Sequence, residues 1–378
     1  MKLYFALFIL CPLSLGLEWG TIGDSWDSGV AYSKDTELDG NKDSCLRFKD
    51  AYAAQMDVDR SWVQQGLGET KFTFAGCSGA RLVDMYLGQS QINKLNRPDF
   101  AVMTVGGNNV GFFDVAANCL FQPYPLTDYG KPYHLDPNGE GLCKKALKAT
   151  RNYIRDTGDG SLEAAFRATL DDIFKWANEE RKLPHFHLYV TGYAHFFNAD
   201  TTDCNTWTFQ RIANYYSTVP FLVKELRAEI NDLMEGLLAV YRNVINNYRP
   251  QGKDMHVQFV SITEGFQGGR FCEPGSTFED QYYNNNVLFW NLQFVDKSGQ
   301  AIAGRVIDMP GGGKSMLLPQ EANDMLDQYG NITVSVPGQP TLQGWMLRPF
   351  HPKLLGHRVM KDKVIAQLKA DKVPGVRV

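Results

Sequence analysis

Four small, polar turns hold the residues of this sequence that could do chemistry. They are Gly23-Asp24-Ser25, Ser78-Gly79-Ala80, Gly106-Gly107-Asn108-Asn109 and Phe350-His351-Pro352. Acyl transfer from an ester needs a hydroxyl nucleophile, an imidazole to take its proton, and hydrogen-bond donors where the carbonyl oxygen becomes negative. Ser25 supplies the hydroxyl and His351 the imidazole. The main-chain N–H groups of Ser25 and Gly79 and the side-chain amide of Asn108 are the candidate oxyanion donors. A residue without Cβ lets substrate come close to the backbone at Gly79, and Asn108 carries an NH2 that a carboxylate lacks. Alone, the Gly-Asp-Ser turn reads as readily as a helix N-cap, because Asp and Ser satisfy free backbone N–H groups there.

Positioning these turns requires strands that end where they begin. Leu17–Ile22, Lys71–Ala75 and Phe100–Val105 are short runs that break at glycine or serine, and the third is almost continuously apolar, as a parallel strand buried on both faces should be. Two more strands are expected at His187–Thr191 and His256–Val260. Helical spacing is expected over Ser44–Met56, around Leu82 to Ile92, over Leu162–Arg181, Pro220–Tyr248 and Pro352–Lys372. This alternation predicts an α/β fold with a parallel sheet of about five strands, covered on both sides, with right-handed crossovers. Residues 118–160 read as an irregular, stapled excursion, and 273–346 as an insertion over the site. Within the latter, Gly311-Gly312-Gly313-Lys314-Ser315 imitates a phosphate loop, but the required first glycine is Asp308 and no helix follows closely, so nucleotide binding is rejected.

The chain has 378 residues, 44% of them hydrophobic, which is enough for one large elaborated domain. A formal net charge of -4 and the lack of a dense Lys/Arg run give no footprint for nucleic acid. Residues 1–16 have one lysine, a short apolar run and small residues near the end, the pattern of a secretory leader, and leave 17–378 as the expected single domain. No later stretch reads as a transmembrane helix. Removing the leader removes Cys11 and leaves Cys45, Cys77, Cys119, Cys143, Cys204 and Cys272, for which fifteen pairings are possible. With no C-x-x-C and no histidines spaced as zinc ligands, three disulfides are expected and no metal. The sequon Asn331-Ile332-Thr333 fits a glycosylated surface loop of a secreted, extracellular protein.

The four turns, in this order and at strand ends, resemble the ordered blocks of the SGNH hydrolases, also called GDSL esterases and lipases. The first block stands as Gly-Asp-Ser-Trp with Gly29 four residues on, the second as Cys-Ser-Gly-Ala, the third as Gly-Gly-Asn-Asn-Val-Gly-Phe, and the last as Phe-His-Pro followed by Gly356 and His357. The resemblance spans nearly the whole mature chain. It implies a flavodoxin-like three-layer α/β/α sandwich, Ser25 as nucleophile, His351 as base, an oxyanion hole from Ser25, Gly79 and Asn108, and no cofactor. The chain is most similar to the secreted branch with three disulfides in sequence order, which implies Cys45–Cys77, Cys119–Cys143 and Cys204–Cys272.

Three departures bear on the site. Trp26 replaces the family's usual Leu, Asn109 its usual Asp, and Arg348 the Asp that orients the histidine in D-x-x-H. A guanidinium cannot accept a proton from imidazole. In the branch it resembles, a Ser-His dyad uses a backbone carbonyl at that position, so the main-chain oxygen of Arg348 is expected to accept from His351. The expected function is a secreted serine esterase or lipase acting, as a monomer, on a small-molecule, lipid or glycan ester. Asn109 and Arg348 keep open a rival, an extracellular binding protein that retains the fold without catalysis.

Overall fold

The computed structural model describes residues 16–30, 38, 45–121, 131–212, 219–292, 294–295, 301–302, 304–308, 313–317 and 348–378. The expected leader, apart from Gly16, and the sequon at Asn331 lie outside these residues. Its centre is a five-stranded parallel sheet of β1 (Leu17–Gly23), β2 (Thr70–Phe74), β3 (Phe100–Thr104), β4 (Phe186–Thr191) and, after β5 (Trp207–Ile212) in another sheet, β6 (Met255–Val260). The order β2-β1-β3-β4-β6 reverses direction between β1 and β3. In open sheets of this order, the crevice beyond the carboxyl ends of those two strands is where ligands bind.

Hydrophobic patterning accounts for the layers. All five residues of β3 are buried, and Trp19 of β1 stacks on Phe72 at 4.2 Å and packs edge-on to Trp62 at 5.5 Å. The helices Leu142–Arg155, Leu162–Lys175 and Lys224–Asn247 pack together as one layer, and Tyr52–Val58 packs with Leu354–Ala370 as the other. The three disulfides are Cys45–Cys77, Cys119–Cys143 and Cys204–Cys272, the pairing that the resemblance implies.

Several local expectations need correction. The helix expected over Ser44–Met56 starts only at Tyr52: Cys45 is held by its disulfide, Leu46 takes φ 54°, and the Phe48 N–H bonds to the Ser28 carbonyl instead of a helical partner. Inside the segment read as irregular lies the helix Leu142–Arg155, which buries Cys143, Leu147, Thr150 and Ile154, one stripe of an otherwise charged surface. The stretch around Leu82 to Ile92 forms only a 3-10 turn, Leu82–Met85, and one α-turn, Gln91–Lys94.

Within 273–317, β7 (Phe294–Val295) pairs with β8 (Ala301–Ile302), and β9 (Arg305–Asp308) pairs with β10 (Lys314–Leu317), which also joins β5. Lys314 and Ser315 are thus strand residues, and Ser315 is buried with its hydroxyl donating to the Gln210 carbonyl.

Candidate active site

The three strand-end turns and the His351 loop converge on one pocket. It is lined by Asp24, Ser25, Ser78, Gly79, Gly107, Asn108 and His351, and by Trp26, Val30, Leu46, Phe112, Phe113, Tyr193, Phe196, Met234 and Phe350. Ser25 opens a one-turn helix, Ser25–Ser28, directly after β1. Asp24 caps that turn by accepting from the Trp26 N–H at 2.9 Å, and its own N–H bonds to the Thr104 carbonyl of β3. Gly23 is required at the strand end, because a Cβ there would come within 2.2 Å of the Thr104 oxygen. The result is a hydroxyl held at the reversal point of the sheet.

His351 Nε2 lies 2.7 Å from Ser25 Oγ across 326 positions of sequence. Gly79 has φ +81°, which suits glycine, and its turn is stapled through Cys77 to Cys45, while the Ser78 N–H bonds to the Cys45 carbonyl. One N–H of the Asn108 amide donates to the Ala80 carbonyl at 2.9 Å, which fixes the group and leaves its second N–H. Asn109, the departure from the usual Asp, accepts from the Leu82 N–H at 2.9 Å, so it serves the turn by hydrogen bonding.

Electrostatics around the pair are set by burial. Desolvation raises the Asp24 carboxyl to about 7, against the Tyr193 hydroxyl and Trp26 N–H bonds that lower it. Tyr193 donates to Asp24 and accepts from the Gly107 N–H at 2.8 Å, so one phenol ties the first turn to the third. Asp27, on the same helical turn as Ser25, is also raised to about 7 by burial and accepts from Tyr52. His357 is fully buried and pushed down to about 3, first by desolvation and then by the charge of His351, so it stays neutral. His134, His185, His187 and His195 do not line the pocket.

At Arg348 the main-chain oxygen accepts the His351 backbone N–H at 3.1 Å, while the guanidinium lies 4.7 Å over the Trp290 ring. Described residues of the segment expected to cover the site bond to the histidine loop: the Trp290 N–H donates to the His351 carbonyl at 3.0 Å, and the Lys353 N–H donates to the Leu288 carbonyl at 2.9 Å. None of the described residues of 273–346 lines the pocket. Phe289 is in the core, whereas Tyr283 is 40% exposed.

Motif reading missed Tyr193, Phe113, Phe196 and Met234 and gave Phe112, the end of the third block, no role. The strand-end rule reaches Tyr193, two residues beyond β4; nothing in the sequence marks Met234, which lies on the long helix Lys224–Asn247.

No family model matches the chain. It is 25% identical to a lipase of Streptomyces rimosus over 226 residues, 55% of this chain and 70% of that protein. It is 26% identical to Lipase 1 of Streptomyces coelicolor over 182 residues, 48% of this chain and 54% of that protein. Among solved structures, the extracellular lipase of S. rimosus aligns with a TM-score of 0.45 at 23% identity, over 68% of this chain and 85% of its own. Phospholipase A1 from Streptomyces albidoflavus aligns with a TM-score of 0.49 at 18% identity, over 92% and 98%. Ser25, Gly79, Asn108 and His351 thus gather in one pocket on this sheet, and the chain is similar in sequence to two lipases.

Proposed function

We propose that this protein is a secreted serine esterase whose substrates carry an apolar acyl chain. The observation that carries the reading is the 2.7 Å contact between Ser25 Oγ and His351 Nε2 at an open pocket. His351 takes the hydroxyl proton as Oγ attacks the ester carbonyl, whose electron pair moves onto oxygen. The N–H groups of Ser25 and Gly79 and the free N–H of Asn108 stabilise that charge. The C–O bond to the alcohol then breaks, and the leaving oxygen takes the proton from His351. Water attacks the acyl-enzyme by the same route in reverse, giving its proton to His351, which returns it to Ser25 as the acid leaves. The Arg348 main-chain oxygen accepts a hydrogen bond from His351 Nδ1–H and holds the ring's orientation, and the scheme needs no metal or organic cofactor.

The acyl assignment comes from the lining. Its polar members belong to the reacting turns or, in Tyr193 and Asp24, are already bonded to each other, and the remainder are aromatic and aliphatic. Among the described residues the lining holds no lysine or arginine that would favour a phosphate, and few free groups that would bind sugar hydroxyls. The three disulfides suit an oxidising compartment and support secretion. Residues 1–16 then act as the leader, 17–378 form one domain, and Asn331 carries glycan.

Turnover of p-nitrophenyl esters from acetate to palmitate tests this reading. At about 0.8 kcal/mol per buried methylene, kcat/KM should climb by up to roughly fourfold per CH2 until the pocket is full. A preference for acetate would remove the acyl assignment. Unchanged turnover in Ser25→Ala would remove the mechanism.

A further inference from the structure

Trp26, the residue after the proposed nucleophile, is 3% exposed, and its indole N–H donates to the main-chain carbonyl of Phe350 at 2.9 Å. That buried bond spans 324 positions, and its two ends lie one residue from Ser25 and one residue from His351. We infer that Trp26 is a positioning residue whose indole hydrogen bond sets the spacing between Ser25 and His351. The inference rests on the proposed roles of those two residues.

Three observations lead there. The other main-chain bonds of the loop serve different ends: His351 N–H to Arg348 O is local, and Trp290 N–H to His351 O fastens the loop to the 288–292 segment. The Trp26 bond instead joins the loop directly to the nucleophile's turn. Second, the indole has little freedom to swing away. Tyr193 packs edge-on to it at 5.2 Å, and Phe196, Phe266 and Phe289 surround it at 6.1 to 6.2 Å. Tyr193 is itself bonded to Asp24, the cap of the same turn, so the donor is referenced to the strand end. Third, the chemistry of the site calls for such a tie. Arg348 occupies the position where a carboxylate would orient the histidine, and a leucine at position 26 would fill space without offering a donor.

Replacing Trp26 by β-(3-benzothienyl)alanine, which keeps the ring shape but has sulfur in place of N–H, isolates the hydrogen bond. The kcat for the best p-nitrophenyl ester should fall about tenfold, the effect of one buried hydrogen bond, with KM within about twofold of the wild type. Phosphonylation of Ser25 by an organophosphonate should slow by the same factor. Trp26→Phe, which keeps a ring but no donor, should lower kcat at least as far and covers the case of an analogue protein that does not fold. A folded analogue protein with wild-type kcat, or one in which only KM rises, would overturn the inference, the second because it assigns Trp26 to the pocket wall alone. Loss of the underlying reading is visible separately, as turnover surviving in Ser25→Ala.

Discussion

The two halves of the site are held in different ways. The turn of the proposed nucleophile grows out of the sheet: Asp24 bonds to β3, the Gln91 side chain brackets the backbone of Gly23, and the neighbouring Gly79 turn is stapled by Cys45–Cys77. The proposed base, His351, directly follows a 3-10 turn, Arg348–Phe350, and its loop is fixed by bonds to Trp26 on the Ser25 turn and to Trp290. The strand-end half is set by local sequence and core packing, whereas the histidine half depends on contacts between segments that come together only in the finished fold. Loss of a contact between distant segments should therefore disturb the second half more than the first.

Changes that test this contrast differ in size. Removing a proposed oxyanion donor from the strand-end half should be the most severe: Asn108→Ala should cost roughly 10²- to 10³-fold in kcat with KM little changed. Wild-type turnover in that variant would show that the third turn takes no part. The next effect concerns stability. Asp27 is raised to about 7 by burial, so in the folded protein it keeps its proton well above the unfolded carboxylate value. Its stabilising contribution is complete at low pH and is lost as pH rises towards about 7. In Asp27→Asn that loss disappears, and the variant should gain on the wild type by up to about 1.4 kcal/mol per unit between pH 4 and 7, then level off. Urea unfolding at several pH values measures it, and a pH-independent difference would mean that the carboxyl is ionised throughout. The smallest effect on rate should be that of Arg348→Ala. If its carbonyl and not its guanidinium serves His351, kcat should stay within about threefold, while the lost stacking on Trp290 lowers thermal stability by the order of 1 kcal/mol. A collapse of kcat in a folded variant would return the role to the side chain.

The same contrast explains what the sequence made legible. Only β3 is an apolar run buried throughout, but all three strands are short runs that break into Gly-containing turns, so the residues around Ser25, Gly79 and Asn108 could be read in order. His351 was legible through its position in a motif, but its supports were not, since an indole bond over 324 positions leaves no local pattern. The helix Leu142–Arg155 was hidden because five of its fourteen residues are Lys or Arg and only a narrow stripe faces inward. The second sheet was hidden because β5 pairs with β10, about a hundred residues further on. The sequence reads 273–346 as an insertion over the site, yet only the structure shows Trp290 and Leu288 bonded to the His351 loop.

The central claim is that the imidazole of His351 activates the hydroxyl of Ser25, and mass spectrometry after treatment with an organophosphonate ester tests it most directly. A single adduct on Ser25, formed at pH 8 and slowed at least a hundredfold in His351→Ala, is the predicted result. Labelling of another residue, or of Ser25 at the same rate without His351, would contradict it.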